Sequence, residues 1–218
     1  MSFINWFAQK FNPSCASPYA QITYNSNAGN SGIINNKKLK VIELSSEKKQ
    51  DVVKMMNVWT DFANAKASQS SLVVNTEIFK DSFNICTWIK NSVNNSNKIC
   101  RVFVCFQEEQ NIQAIAIVTN AVASSPVKDI PYLYVDYLAT HPRNIRSALN
   151  EKEPNRVTGA GSKLISHLVN KVCKKENLEE VRLQSLDSAR EFYKKMGFAN
   201  LTGQSILFLK APGNSVAA

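Results

Sequence analysis

The sequence lacks the features that identify several common classes of protein. No uninterrupted apolar run approaches the ~18 residues of a membrane-spanning helix. The N-terminus has neither the basic start nor the long apolar stretch of a secretory signal. Neither end matches a common lipidation motif. We therefore expect a cytoplasmic protein without a membrane span.

Cysteine and histidine are sparse, and their arrangement excludes further classes. The five cysteines are scattered without a CxxC pair, so we expect reduced thiols that mostly fill the core. There are two histidines, no clustered metal ligands, and no HExxH or GxSxG motif. Metal-dependent and serine-nucleophile chemistry are therefore disfavoured, and no metal cofactor is expected.

Positive charge, by contrast, is in excess. The 218 residues carry 26 Lys and Arg against 17 Asp and Glu, a formal net charge of +9. This balance favours anionic partners such as nucleic acid or a polyphosphate cofactor. A solvated basic surface explains it equally well.

Composition and periodicity divide the chain into three regions. Residues 1–36 are rich in Asn, Ser, Gly and Pro and are interpreted as an N-terminal extension or linker. Residues 37–211 form one domain, and 212–218 form a flexible tail. Within the domain, apolar spacing predicts the order β-α-α-β-β-β-α-β-α-β. The predicted strands are 38–44, 99–106, 112–122, 132–140, 179–186 and 205–210.

This order of elements predicts an α+β fold. We expect a mixed, mostly antiparallel central sheet with helices on both faces, in an α/β/α layered arrangement. The final strand–helix–strand portion supplies the parallel crossover.

The stretch RVTGAGSK, residues 156–163, opens the helix with the clearest amphipathic stripe. A helix N-terminus presents unpaired N–H groups and partial positive charge, and glycine lets a phosphate approach them. The amides from Val157 to Ser162 can converge on one anion, with Arg156 at the rim. Alone, the two glycines are more typical of packing or capping than of binding, and they fit neither the Walker nor the dinucleotide motif. The stripe consists of Leu164, Ile165, Leu168, Val169, Val172 and Cys173.

A second motif, AREFYKKMGF at 189–198, follows the next predicted strand. Its helix is predicted to begin with a capping box of Ser188 and Glu191 and to stop at Gly197. Together the two motifs resemble those of the GNAT superfamily of acyl-CoA-dependent N-acetyltransferases, over roughly 38–210. The [QR]-x-x-G-x-[GA] signature of that family is matched by Arg156, Gly159 and Gly161, and its A-x-x-x-Y-x-x-x-G-F motif by Ala189, Tyr193, Gly197 and Phe198.

The resemblance implies acetyl-CoA as co-substrate and a sheet splayed between two parallel strands. The strand with Leu138, Ala139 and Thr140 would splay from 181–186 and bind the pantetheine arm. Ser188 and Phe192 would flank the thiol end. The implied pyrophosphate site consists of Arg156, Val157, Thr158, Gly159, Ala160, Gly161 and Ser162.

Two residues are candidates for the chemistry. Asp136 stands where many members of the family carry a general-base carboxylate, although a carboxylate that only bonds loop amides is the alternative. Tyr193 corresponds to the tyrosine near the departing sulfur, as acid or as hydrogen-bond donor to the thiolate. His141 borders the expected cleft and is a further candidate for proton transfer, whereas His167 is expected in solvent.

The sequence departs from the family at two places. Leu186 stands where an asparagine is common, so that contact to the cofactor must be absent or replaced. The loop 142–155 is about ten residues longer than the compact turn of the family. We expect it to form a substrate lid or to be disordered.

The implied activity is acetyl transfer to a primary amine, of a small molecule or a protein, by direct attack in a ternary complex. The alternatives are a toxin-like enzyme acting on aminoacyl-tRNA and a non-catalytic acyl-CoA-binding module. The stretch LQSLDSAREFYKKMGF, residues 183–198, is similar to the last motif of GNAT-type toxins that acetylate the amino acid on charged tRNA, and a basic chain suits that target. The N-terminal extension and the long loop do not particularly favour it. Monomer and homodimer both remain open.

Overall fold

A computed structural model describes residues 39–45, 48–69, 71, 73–95, 100–107, 112–124, 128–145, 156–201 and 206–212. The predicted extension 1–36 and the tail from residue 213 lie outside the described residues, as does 146–155 of the long loop. The strands are β1 (Lys40–Leu44), β2 (Arg101–Phe106), β3 (Ile112–Ala123), β4 (Ile130–Thr140), β5 (Glu180–Gln184), β6 (Ala199–Asn200) and β7 (Ile206–Lys210). The helices are α1 (Lys49–Gln69), α2 (Val73–Asn94), α3 (160–176) and α4 (Asp187–Lys195), with a 3-10 turn at Pro142–Asn144.

The strands form one sheet of seven in the order β1-β2-β3-β4-β5-β7-β6. Neighbouring strands are antiparallel except β4 and β5, which are parallel and joined by the α3 crossover. The predicted mixed, mostly antiparallel sheet is therefore confirmed. The two-residue strand β6 was not predicted, because a pair of residues carries no periodicity.

Helices cover both faces of the sheet, as predicted. One face packs against α1 and α2, and the other against α3 and α4. The α1–α2 core includes Val52, Met56, Trp59, Cys86, Ile89, Ile115 and Ile117. The α3–α4 core includes Ala116, Leu133, Leu164, Leu168, Leu183, Tyr193 and Phe198.

Helix α3 buries its whole predicted stripe, but it is not a regular α-helix. The stripe repeats every four residues, and four residues of an α-helix turn through about 400°, so the stripe would drift about 40° per repeat. The segment Leu168–Cys173 is π-helical. The wider turn of a π-helix counters that drift, since its hydrogen bonds run from i to i+5. All six stripe residues are consequently buried.

Strands β4 and β5 stay together over a short distance only. Their pairing runs from Tyr132↔Glu180 to Val135↔Leu183. The pairing of β4 with β3 on its other side continues to Thr140. Among the described strands, residues 138–140 therefore have no partner on the β5 side, and the predicted splay between the two parallel strands is present.

Helix α4 differs from its prediction at the start and agrees at the end. It begins at Asp187 with Leu186 as N-cap and without a side-chain capping bond, so the predicted capping box is wrong. The hydroxyl of Ser188 instead donates to Asp81 Oδ2 at 2.6 Å. Gly197, with φ of +90°, ends the helix as predicted. None of the described helices is both long and apolar enough to cross a membrane.

Candidate active site

A cleft of about 580 Å³ opens where β4 and β5 separate. Its walls come from the end of β4, the start of α3, the helix α4 and one side of α2. Twelve of the fourteen predicted site residues line this cleft; Asp136 and Arg156 do not. The twelve are Leu138, Ala139, Thr140, Val157, Thr158, Gly159, Ala160, Gly161, Ser162, Ser188, Phe192 and Tyr193.

The N-terminus of α3 points donors at the cleft. Gly159 is the N-cap and has φ of +80°, a left-handed conformation that glycine adopts without steric cost. The first helical hydrogen bond runs from the Lys163 N–H to the Gly159 oxygen at 2.8 Å. The amides of Ala160, Gly161 and Ser162 therefore have no acceptor within the helix. With the helix dipole, this end is suited to an anion.

The two glycines serve different purposes. A Cβ on Gly161 would lie 3.1 Å from Thr140 Cγ2 and 3.5 Å from Phe192 Cζ. Gly161 is thus the point of closest approach between α3, β4 and α4. Packing and anion binding, which the sequence presented as alternatives, are therefore compatible: Gly161 packs and Gly159 turns the chain.

The amide of Val157 is not available to an anion, contrary to the prediction. It donates to Asn144 Oδ1 at 2.8 Å. Asn144 in turn donates from Nδ2 to Gln113 Oε1 at 2.7 Å. Val157 lines the cleft but contributes no donor, because its N–H is already used in this chain of bonds.

Arg156 lies next to the cleft rather than in its wall. Its Nη1 atom is buried and has no hydrogen-bond partner. A buried unpaired guanidinium nitrogen is costly unless an acceptor is supplied. The arginine of the glycine motif therefore fits a site that an anionic ligand completes.

Tyr193 sits at the junction of the cleft and the core. Its ring makes edge contacts with Phe192 and Phe198, with centroids 5.0 Å and 5.6 Å away. Only 7% of the residue is exposed. Burial raises the pKa of Tyr193 well above its usual value, so the phenol stays protonated at neutral pH and keeps a hydrogen to donate.

Asp136 is not brought to the cleft wall. It is the extra residue of a β-bulge, because Ile117 pairs with Tyr137 while Val118 pairs with Val135. Its Oδ2 accepts a hydrogen bond from Thr119 Oγ1 at 3.1 Å. The structure thus supplies a hydrogen-bond partner for this carboxylate within the sheet.

One wall of the cleft was missed by the sequence analysis. Ile78, Asp81, Ser82 and Ile85 of α2 line it next to the start of α4, where Ser188 contacts Asp81. Their spacing places them on one side of the helix, next to the buried stripe. The sequence pattern therefore indicates the border of the buried face and not a site. The other lining residues that were not predicted are Asn144, Ile145, Leu186, Ala189, Glu191 and Lys195.

Comparison with known families identifies the domain. Residues 152–208, which include the glycine motif, β5 and α4, match the model of the acetyltransferase (GNAT) domain. The predicted resemblance is confirmed, and with it the prediction that the protein is an acyltransferase. No curated protein matches the sequence.

Solved structures similar to this protein are distant in sequence. AtaTR bound with AcCoA has 17% identity, a TM-score of 0.49, and covers 80% of this chain and 94% of its own. AtaT complexed with acetyl-methionyl-tRNAfMet has 16% identity, a TM-score of 0.45, and covers 79% and 94%. A predicted acetyltransferase with acetyl-CoA from Clostridium acetobutylicum has 15% identity, a TM-score of 0.45, and covers 76% and 93%.

Neither histidine lines the cleft. His141 packs between Trp59 and Phe62, at centroid distances of 5.1 Å and 5.5 Å, and its Nδ1 accepts from the Arg143 N–H. This placement does not support proton transfer by His141. His167, expected in solvent, is half-buried beside Phe103 instead. Among the described residues, no three His, Cys, Asp or Glu side chains come together to hold a metal ion.

The partly buried His141 makes the stability of the fold sensitive to acid. Burial, and secondly the charge of Arg143, lower the pKa of His141 to about 3. An unfolded histidine has a pKa of about 6.5. The contribution of neutral His141 to stability is therefore complete above that pH and is lost as pH falls towards 3. Lowering the pH from 7.5 to 5.0 should reduce the free energy of unfolding by about 2 kcal/mol through His141.

Urea unfolding of His141→Asn measures this contribution. The asparagine oxygen replaces the Nδ1 acceptor but does not titrate, so the variant should lose less stability at pH 5.0 than the wild type. The pKa of His167 is also lowered, so His167→Asn serves as the control that retains the His141 contribution. Equal acid sensitivity in wild type and His141→Asn would contradict the assignment.

Proposed function

We propose that this protein transfers an acetyl group from acetyl-CoA to a primary amine of a small molecule or a protein, by direct attack in a ternary complex. One observation carries the proposal. The open edge of β4, the N-terminus of α3 and the Tyr193 ring line a single cleft. The family match at 152–208 covers the last two of these parts.

The cleft residues suit the successive parts of acetyl-CoA. Residues 138–140 offer an open strand edge, which can bond the amides of a pantetheine arm as an added strand would. The amides of 160–162 and the unpaired Arg156 nitrogen offer donors to a pyrophosphate. Phe192 provides an apolar wall near the thiol end. The cleft as a whole therefore fits acetyl-CoA.

The transfer itself requires few protein groups. The amine nitrogen forms a bond to the acetyl carbon, the carbon–sulfur bond breaks, the nitrogen loses a proton, and the sulfur gains one. Tyr193 is assigned to hydrogen-bond the sulfur as negative charge develops there, because a buried phenol donates without ionising. The role of Asp136 as general base stays a prediction. From its place in the bulge, its carboxylate would need an intervening water to reach the amine.

Calorimetry with coenzyme A and acetyl-CoA tests the proposal, followed by thiol release with a panel of amines. Arg156→Met should weaken coenzyme A binding by about tenfold, since it removes one charged hydrogen-bond donor. Lys174→Met, at the exposed far end of α3, should leave the affinity unchanged. No binding of coenzyme A to the wild type would overturn the proposal.

The same assays separate the alternatives. Tight binding of acetyl-CoA without turnover of any amine would favour a binding module. Acetylation of aminoacyl-tRNA alone would select the toxin-like activity. We further propose a cytoplasmic location, with which the four described cysteines, all buried and none in a disulfide, are compatible.

A further inference from the structure

We infer that Asp81 of α2 binds the ammonium group of the acceptor amine, and that the acceptor carries an apolar group next to that amine. The inference rests on the proposed function, because it concerns the second substrate of the same cleft. It assigns a role to the α2 wall, which meets the residues attributed to acetyl-CoA at Ser188.

Asp81 accepts a hydrogen bond from helix α4. Ser188, in the first turn of α4, donates its hydroxyl to Asp81 Oδ2 at 2.6 Å. This bond joins α2 to α4 within the lining of the cleft and orients the carboxylate. The second oxygen and the remaining lone pairs of Asp81 are suited to a cationic donor.

The charges around the cleft favour Asp81 over the other carboxylates. Glu191 also lines the cleft, but it is exposed and accepts from Lys194 Nζ at 2.8 Å. Asp136 lies outside the wall and accepts from Thr119. Among the described residues that line the cleft, Asp81 is therefore the carboxylate that a helix-to-helix bond orients.

The neighbours of Asp81 define the class of acceptor. Ile78 and Ile85 stand one turn before and one turn after it on the same side of α2, and Leu186 faces the cleft from the start of α4. A carboxylate between aliphatic side chains matches an alkylammonium whose carbon chain is apolar. The carboxylate would repel an anionic acceptor, although the exposed Lys195 also lines the cleft.

Steady-state kinetics with phenethylamine and hexylamine test the inference. Asp81→Asn keeps the size of the side chain and an oxygen for Ser188, but removes the charge. We expect its KM for both amines to rise by about 10- to 100-fold with little change in kcat, since a charge-assisted bond is lost. Inhibition by the neutral analogues 2-phenylethanol and hexanol should be unchanged, which separates lost charge recognition from a distorted cleft.

Two further variants complete the test. Glu77→Gln removes an exposed carboxylate one turn earlier on α2 and should behave as the wild type. Asp81→Glu keeps the charge and should retain part of the affinity for the amines. Calorimetry should give the same acetyl-CoA affinity for all variants.

The outcomes are distinguishable. If the wild type turns over the amines and Asp81→Asn keeps the same KM, the inference is overturned and the proposed function stands. If the wild type binds acetyl-CoA but acetylates neither these amines nor any other, the proposed amine transfer fails and the inference fails with it.

Discussion

Tyr193→Phe is expected to lower turnover by about 100- to 1,000-fold, as when a single donor to a developing anion is removed. Affinity for acetyl-CoA should change little, because the ring contacts with Phe192 and Phe198 do not involve the hydroxyl. The expected pattern is a fall in kcat without a matching rise in KM, measured by thiol release and calorimetry.

A matched control is available on the sheet. Tyr132 pairs its ring with Tyr134, and it does not line the cleft. Tyr132→Phe removes the same hydroxyl from a different place and should leave turnover unchanged. Unchanged turnover in Tyr193→Phe would remove this residue from the mechanism and leave it as a core side chain.

Gly161→Val is expected to have the second large effect. Because a Cβ at this position already lies 3.1 Å from Thr140 Cγ2, a branched side chain must push α3 away from β4 and α4. Overpacking of this kind costs about 1–3 kcal/mol of unfolding free energy. A displacement of about 1 Å at the start of α3 should also lower kcat/KM by about 100-fold, because the cofactor donors move with it.

The cause can be separated from general damage by a rescue. Gly161→Ala introduces only the Cβ, and Thr140→Ser removes the methyl group that this Cβ meets. Urea unfolding and coenzyme A calorimetry should show that the double variant is closer to the wild type than Gly161→Ala is. Equal stability and affinity for Gly161→Val and the wild type would refute the close packing described for this position.

The parts of the site that are local in sequence could be predicted. The glycine motif and the last helix are short, and each brings its own residues to the cleft through helix geometry. The α3 stripe was predicted because its repeat of four is strong. Its π-helical segment was not, because apolar spacing reports which side of a helix is buried and not its hydrogen-bond pattern.

The parts that depend on distant contacts could not be predicted. Asp81 and Ser188 are 107 positions apart, and each alone is an ordinary polar residue of a helix. The β-bulge at Asp136 could not be predicted either, because it depends on how β4 pairs with β3. Val135 packs in the α3–α4 core and Tyr137 against the α1–α2 core, although an unbroken strand would point both to one side. Alternation within one strand does not reveal an extra residue that only the partner strand defines.

The hydrogen bonds of Asn144 determine where this fold can accept changes in chain length. Through Gln113 and Val157, one amide ties together the strand end before residues 146–155 and the turn after them. Insertions, deletions or grafted peptides in that interval should leave the geometry of the turn intact, because both anchor points are secured independently of it. The interval is therefore a suitable place for an engineered epitope or a fluorescent reporter.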